Sequence, residues 1–287
     1  MQQAYRALRI LAEAQTVRMM LTAEPCALLL DELASACAAL QNGSAGLTCV
    51  ILDFGVVPPP AEQVGSLGGL VADCRPGSGA ATKLRNAAER AAALVRAVPQ
   101  PVLAVVRAAL SEEASLLVQA ADLVLIAREA TLIAAPAAAR KAERLPGEQA
   151  VRLGLATWCT PARQLDRRLE EVLTLLRRSS ALALRQAKAA VRLALRWLPP
   201  SSLSVSPGGE REPGSFSLPL PTEDEDESAR QLRESRARLE ALRRVNTFYL
   251  SEVSCSEDAQ EGLQAFLEKR APRWQQQQRE QRERERA

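Results

Sequence analysis

Histidine is absent from this 287-residue chain, and its absence closes off more chemistry than any other feature of the composition. Without an imidazole there is no Ser-His-Asp or Cys-His nucleophile and no histidine-ligated metal. Aromatic residues make up only 3% of the chain, so its core must be built from aliphatic side chains. The six cysteines (Cys26, Cys37, Cys49, Cys74, Cys159, Cys255) are scattered without a C-x-x-C pair or metal-ligand spacing, which reads as reduced thiols in core or loop positions. A net charge of +3 is too close to balance for a nucleic-acid binder. No apolar run is long enough to span a bilayer and no secretory signal pattern opens the chain. The expected setting is therefore cytoplasmic, with neither a membrane nor a nucleic acid as partner.

What remains is an aliphatic composition, 47% hydrophobic, enough for one substantial α/β domain with an appended helical part. The chain is organised around residues 99–136, PQPVLAVVRAALSEEASLLVQAADLVLIAREATLIAAP. Within it, 101–106 is an apolar, β-branched run that suits a strand buried on both faces. Residues 112–121 carry leucine and alanine at helical spacing, Asp122 stops that helix, and 123–127 read as a second buried strand. Strand, crossover helix and strand make one βαβ unit. The same order appears earlier, as a strand at 16–22, an amphipathic helix at 27–40 closed by Asn42-Gly43-Ser44, and a strand at 47–54. Residues 1–15 are helix-compatible, and further helices are expected at 82–98, 165–178, 179–195 and 228–249. The RPGSGA stretch at 75–80 lacks a following Gly-Lys-Ser/Thr and reads as an ordinary loop rather than a phosphate cradle.

Residues 198–227 are rich in proline, serine and glycine and end in Glu223-Asp224-Glu225-Asp226-Glu227. Such a segment cannot bury a core and reads as a disordered linker; its acidic run suits either a docking role or plain solvation. The expected division is thus a core over 1–178, a first C-terminal helix over 179–197, the linker over 198–227, a helical oligomerisation region over 228–274, and a low-complexity tail over 275–287.

Several stretches resemble one family. "P-V-x-A-V", a helix ending in Asp122, and then "A-x-x-A-T-x-x-x-x-P" resemble the centre of the crotonase (enoyl-CoA hydratase/isomerase) superfamily. Residues 146–156 resemble its "A-x-E-A-x-x-x-G-L-A" element, and 179–195 its "S-x-x-A-L-r-x-x-K-x-A" helix, with Lys188 as the matching lysine. The most specific match is SEDAQEGLQAFLEKRAPRW at 256–274, similar to the family ending "s-x-D-x-x-E-G-x-x-A-F-x-x-K-R-x-P-x-[FW]". Ala61-Glu62-Gln63-Val64, residues 67–70, Tyr249-Leu250 and Trp274 lean toward the cyclohexa-1,5-dienecarbonyl-CoA hydratases. The resemblance implies an α/β fold, a crotonase-type ββα spiral core with C-terminal trimerisation helices. It also implies a homotrimer or dimer of trimers (a hexamer), or a hetero-oligomer with an active paralogue.

At the positions that carry the family's chemistry the sequence departs. A Gly-Gly-Gly turn supplies a backbone N–H to the family's oxyanion hole, where donors preorganised at a developing charge do most of the catalytic work. Here Glu112, Glu113 and Ala114 replace it, and Ala108 replaces the preceding glycine. The two catalytic glutamates fall on Leu116 and Ala137. The other oxyanion-hole loop, Ser-Ala-Gly-x-Asp in the family, is Gly55-Val56-Val57-Pro58-Pro59-Pro60, and proline has no N–H to donate. The resemblance therefore puts the oxyanion-hole positions on Gly55 and Glu113 in a degenerate active site. The segment after Pro136 is shorter than in the family, which removes part of the wall over the acyl group.

Three readings follow. One is a diverged, catalytically impaired relative of the acyl-CoA (cyclic dienoyl-CoA) hydratases, acting as an acyl-CoA-binding or partner subunit, because an apolar residue cannot move the proton that hydration requires. Another is an active hydratase-type lyase using a relocated glutamate: Glu112 or Glu113 as catalytic acid/base, with Glu143 near the shortened segment. Glutamates at a helix start are, however, favoured by the helix dipole alone. The third is an oligomeric scaffold without a small ligand. The only small molecule implied is a CoA thioester, contacted through Phe266 and Lys269: an aromatic face suits adenine and a lysine suits a phosphate, with interface packing as the alternative. For Lys188 a ligand role stands beside a solvated helix face.

Overall fold

The computed structural model describes residues 5–13, 15–43, 46–55, 79–134, 143–197 and 227–275. They fall into two compact units, the first ending at Arg178 and the second beginning at Ser179.

The first unit runs β1 (Arg9–Glu13), β2 (Thr16–Leu21), α1 (Ala27–Gly43), β3 (Cys49–Phe54), α2 (Gly79–Ala97), β4 (Val102–Val106), α3 (Glu112–Gln119), β5 (Leu123–Ala127), β6 (Thr131–Ala134), β7 (Glu143–Pro146), α4 (Gly147–Arg152), β8 (Trp158–Thr160) and α5 (Leu165–Arg178). Six strands form one sheet in the order β1-β2-β3-β4-β5-β8. Neighbours from β2 to β8 are parallel, and β1 runs antiparallel to β2 along the edge. A strand order that advances in one direction with right-handed crossovers places successive helices side by side on one face; accordingly α1 packs on α2 and α2 on α3. Every residue of β3 and β4 is buried, as expected of strands covered on both sides. Helix α5 packs on β5 and buries Leu165, Leu169, Val172 and Leu173.

The βαβ reading of the central stretch holds, and its stop signal has a physical role. The Asp122 carboxylate accepts the Val102 N–H at 2.7 Å while the Asp122 N–H donates to the Val102 carbonyl at 2.9 Å, clasping the start of β4 to the start of β5. Other expectations need correction. Residues 9–13 are a strand rather than part of a helix, because pairing with β2 from Arg9↔Met20 to Glu13↔Thr16 outweighs local propensity. The chain just before β1 is held by Glu32 of α1, whose carboxylate accepts the N–H groups of Arg6, Ala7 and Leu8 at 2.7–2.8 Å. Gly79 and Ala80 belong to α2, not to a loop. The hairpin β6–β7, in register from Thr131↔Pro146 to Ala134↔Glu143, was not expected at all. Each of its strands has only four residues, too few for a period to show.

The second unit contains α6 (Ala181–Trp197), α7 (Glu227–Phe248), a π-helical turn (Tyr249–Val253) and α8 (Glu257–Leu267). Ser180 accepts the Ala183 N–H at the start of α6 and hydrogen-bonds Asp258 in the first turn of α8, so two helix starts are joined through one hydroxyl. No helix among the described residues is long and apolar enough to cross a membrane. The proline loop at 56–60, Cys74, Ala137, the linker up to residue 226 and the tail beyond 275 lie outside the described residues.

Candidate active site and C-terminal motif

Because β2, β3 and β4 are parallel, Leu21, Phe54 and Val106 end at the same edge of the sheet, the edge at which open α/β sheets receive ligands. Helix α3 starts there too: the Ser111 N–H donates to the Ala23 carbonyl just beyond β2, at 3.0 Å. Ser111 caps the helix by accepting the Ala114 N–H at 3.2 Å, which leaves the N–H groups of Glu112 and Glu113 without partners inside the helix. Gly55 follows β3 directly. A Cβ placed on it would lie 3.6 Å from Arg107 Cδ and 3.8 Å from Asp53 Oδ1.

Those two neighbours belong to a charge cluster. Asp53 is 1% exposed, and a carboxylate that deep in an apolar sheet survives only if its charge is matched. Arg18 of β2 and Arg107 after β4 both pair with it, Arg107 at 2.9 Å. Arg107 also reaches Asp166 of α5 at 2.5 Å. Two arginines and two aspartates thus balance. Burial works against the Arg107 charge, but its hydrogen bonds to Asp166 and Asp53 more than offset this and hold its pKa above the ordinary value. The Arg107 hydrogen bond holds the Asp166 carboxyl below the usual range.

The expected catalytic positions lie as follows. Glu112 is paired with Arg85 of α2 at 2.8 Å, so its carboxylate is already engaged. Glu113 is half-buried and has no side-chain partner among the described residues. Leu116 is half-buried on the same helix. Glu143 is not brought to them. It pairs with Ala134, and β6 runs from Leu110 at the start of α3 toward Gln119 at its end, which leaves Glu143 at the opposite end of the helix.

In the second unit the C-terminal motif is explained residue by residue. The Glu261 carboxylate receives Arg270 through two guanidinium nitrogens at 2.6 and 3.0 Å and the Arg273 N–H at 2.7 Å; these bonds, Arg270 first, hold its pKa down at about 2. Gly262 faces the Trp274 ring, 3.5 Å from where a Cβ would be. Ala265 is buried, whereas Phe266 is 79% exposed. Lys269 has φ +53°. Its N–H bonds the Phe266 carbonyl, and the Arg270 N–H bonds that of Ala265. This is the Schellman termination of a helix, with lysine at the left-handed position that glycine usually takes. Lys188 is only 7% exposed, so the solvated-face reading is corrected: α6 packs on both α7 and α8, and this lysine lies within the packed unit.

The Asp53 cluster was missed from the sequence. Its signal was available as charges inside strands, Arg18 in TVRMML and Asp53 in CVILDF.

The one-way strand order, the parallel ladder and the crossover helices define an α/β fold with a mostly parallel sheet, and solved structures of the crotonase type share it. The chain is similar to an enoyl-CoA hydratase/isomerase from Mycobacterium paratuberculosis at 18% identity and TM-score 0.60, covering 95% of this chain and 99% of that one. It is also similar to an enoyl-CoA hydratase from Bacillus anthracis at 18% identity and TM-score 0.59, covering 94% and 100%, and to one from Mycobacterium smegmatis at 15% identity and TM-score 0.59, covering 94% and 99%. No family model and no curated protein matches the sequence. At such identities the likeness establishes the fold, that of enoyl-CoA hydratases and isomerases, while the chemistry rests on the residues themselves.

Proposed function

We propose that this chain is a diverged relative of the acyl-CoA hydratases that has lost their proton-transfer residue and serves as an acyl-CoA-binding or partner subunit of a trimeric or hexameric assembly in the cytoplasm. The carrying observation is α3. It starts at the sheet edge where a thioester would lie, yet the resemblance puts the family's first glutamate at Leu116, and Glu112 is held by Arg85. A leucine can neither donate nor accept a proton. Lys269 supports a retained ligand role. A lysine in left-handed backbone costs more than glycine would there, and such an outlier motivates a functional reading. The exposed Leu263, Phe266 and Leu267 on α8 support burial of that helix against another subunit.

A second reading keeps the activity. Glu113, half-buried and unengaged among the described residues, would serve as acid/base toward an enoyl- or cyclic dienoyl-CoA.

A single-turnover experiment decides between them. Protein in excess is mixed with crotonyl-CoA and with a cyclic dienoyl-CoA, and the thioesters are followed by mass spectrometry. Unchanged thioesters, with retention of CoA that Lys269→Glu abolishes, are the expected result. A product heavier by one water, lost in Glu113→Gln, would overturn the impaired reading in favour of the second. Unchanged thioesters without CoA retention would leave only a scaffold.

A further inference from the structure

Three strands across the sheet from β3 and Gly55, an open cleft of about 630 Å³ lies beside β8 and α4, bounded by Glu148, Arg152, Trp158, Cys159, Thr160 and Arg168. β8 is the last strand of its sheet. A cleft of this size suits a small organic ligand, and its wall is uneven in chemistry. The Arg168 guanidinium stands 5.5 Å from the centre of the Trp158 ring, a cation–π arrangement that presents a flat surface of aromatic carbon and guanidinium. Arg168 spends Nη1 on Glu171 at 2.9 Å, which leaves further donors of its five-donor fork. The Arg152 side chain makes no hydrogen bond or ion pair among the described residues. Glu148, the one acidic group in the wall, is neutralised from outside by Arg128 at 2.9 Å. With Glu148 matched by Arg128 and Arg168 by Glu171, Arg152 is the positive charge of the wall left over.

From this convergence we infer that the cleft is a binding site for a planar organic anion, a ring bearing a carboxylate or phosphate. The ring lies along the Trp158–Arg168 surface, and the acidic group takes the unpaired fork of Arg152, the geometry at which guanidinium excels over a point charge. Cys159 forms part of the lining without acting as a nucleophile. Burial, and then the charge of Glu148, push its thiol pKa up, so it stays protonated and neutral at pH 7. The inference is tested apart from the acyl-CoA reading: Cys159 and Thr160 end β8 at the same edge of the sheet as Phe54, but Arg152, Trp158 and Arg168 are not among the residues assigned to the thioester.

The test uses the full chain with Trp197→Phe and Trp274→Phe, which leaves Trp158 as its only tryptophan. Its fluorescence is titrated with benzoate, adenosine 5′-monophosphate, inorganic phosphate and the uncharged control benzamide. Saturable quenching by benzoate or the nucleotide, weakened roughly tenfold or more in Arg152→Ala and partly restored in Arg152→Lys, is expected for loss of one charge-assisted contact. Because Arg152 is exposed and unpaired, its variants should melt with the parent, so a lost signal cannot be ascribed to unfolding. No saturation by about 10 mM of either ring anion, an affinity too weak for a site, would overturn the inference. So would equal binding of benzamide, binding of inorganic phosphate as tight as that of the nucleotide, or quenching indifferent to Arg152→Ala.

Discussion

Replacing Asp53 by asparagine is the sharpest perturbation of the first unit. Asparagine keeps the shape of the side chain and one acceptor oxygen but removes the charge, turning a balanced cluster of Arg18, Arg107, Asp53 and Asp166 into one with an excess positive charge. Two limits bracket the cost. Exposed ion pairs are worth about 0.2–1 kcal/mol, and removing one member of a fully buried pair costs about 3–5 kcal/mol because the partner is left stranded. Asp53 is 2% exposed in its side chain, while Arg18 and Arg107 are 25% and 24% exposed. The arginines can recover part of their hydration, and Arg107 keeps Asp166, so the expected loss is about 3 kcal/mol. Native-state hydrogen exchange of peptides from β3 and β4 is the suitable readout, because it reports the local opening free energy without requiring that the two units unfold together. Exchange in those strands should quicken by roughly two orders of magnitude, which is what about 3 kcal/mol means in an equilibrium constant. The companion variant Arg107→Met, which leaves Asp53 its Arg18 partner, should cost clearly less. A loss under about 1 kcal/mol for Asp53→Asn, or equal losses for the two variants, would refute the picture of a buried carboxylate at the centre of the cluster that one remaining arginine still largely matches.

Three further outcomes are expected. Gly147→Ala should destabilise the first unit by about 2–3 kcal/mol, the usual cost of an overpacked site, because the added Cβ would lie 2.7 Å from the Ala127 carbonyl and 3.1 Å from Cys159 Sγ; adding Cys159→Ala should fail to rescue the melting temperature, since the backbone contact remains. The Glu261 pKa falls from 4.5 to about 2 in the folded chain, so its contribution to stability is present above the unfolded value and is lost as pH drops through the folded one; acid titration of Trp274 fluorescence should show this transition, and Glu261→Gln should remove it. Lys269→Gly should raise the opening free energy at the end of α8 by about 1 kcal/mol through relief of the left-handed backbone, measured by hydrogen exchange of residues 269–274, while weakening CoA retention if the lysine serves the ligand.

The central spiral was legible because parallel strands buried on both faces announce themselves as apolar runs: CVILDF and VLAVV needed no partner information to be read. The edge strand β1 was not, because RILAE becomes a strand only through its ladder with TVRMML, a tertiary event that local propensity does not encode. The hairpin β6–β7 escaped for a related reason, with four residues per strand and an alanine-rich surround that favours helix. The Asp53 cluster exposes a different limit. A charge within an apolar run is a visible anomaly, but its partners are set by register and crossover: Arg18 lies 35 residues away, Arg107 lies 54 away, and Arg107 in turn pairs with Asp166 of α5. The sequence can say that such a charge must be matched, not by what.

The C-terminal motif was both legible and explicable, and the contrast with the α3 region bears on function. Glu261 binds Arg270, Gly262 admits Trp274, Ala265 is buried and Asp258 joins Ser180; each conserves packing or charge balance within the second unit and none requires a substrate. Lys269 and Phe266 are different: the first takes left-handed backbone and the second is 79% exposed, and although their backbones close α8, the Phe266 side chain is not packed into the second unit. At the sheet edge Leu116 and the Arg85–Glu112 pair satisfy packing and charge, which leaves Glu113 as the unengaged carboxylate at the start of α3 for proton transfer. This contrast is the ground on which we propose a subunit that associates rather than turns over substrate: the C-terminal motif presents Phe266 outward, and the position that the resemblance gives to proton transfer is the apolar Leu116. That arrangement makes the combined outcome of unchanged thioester and Lys269-dependent CoA retention the expected one.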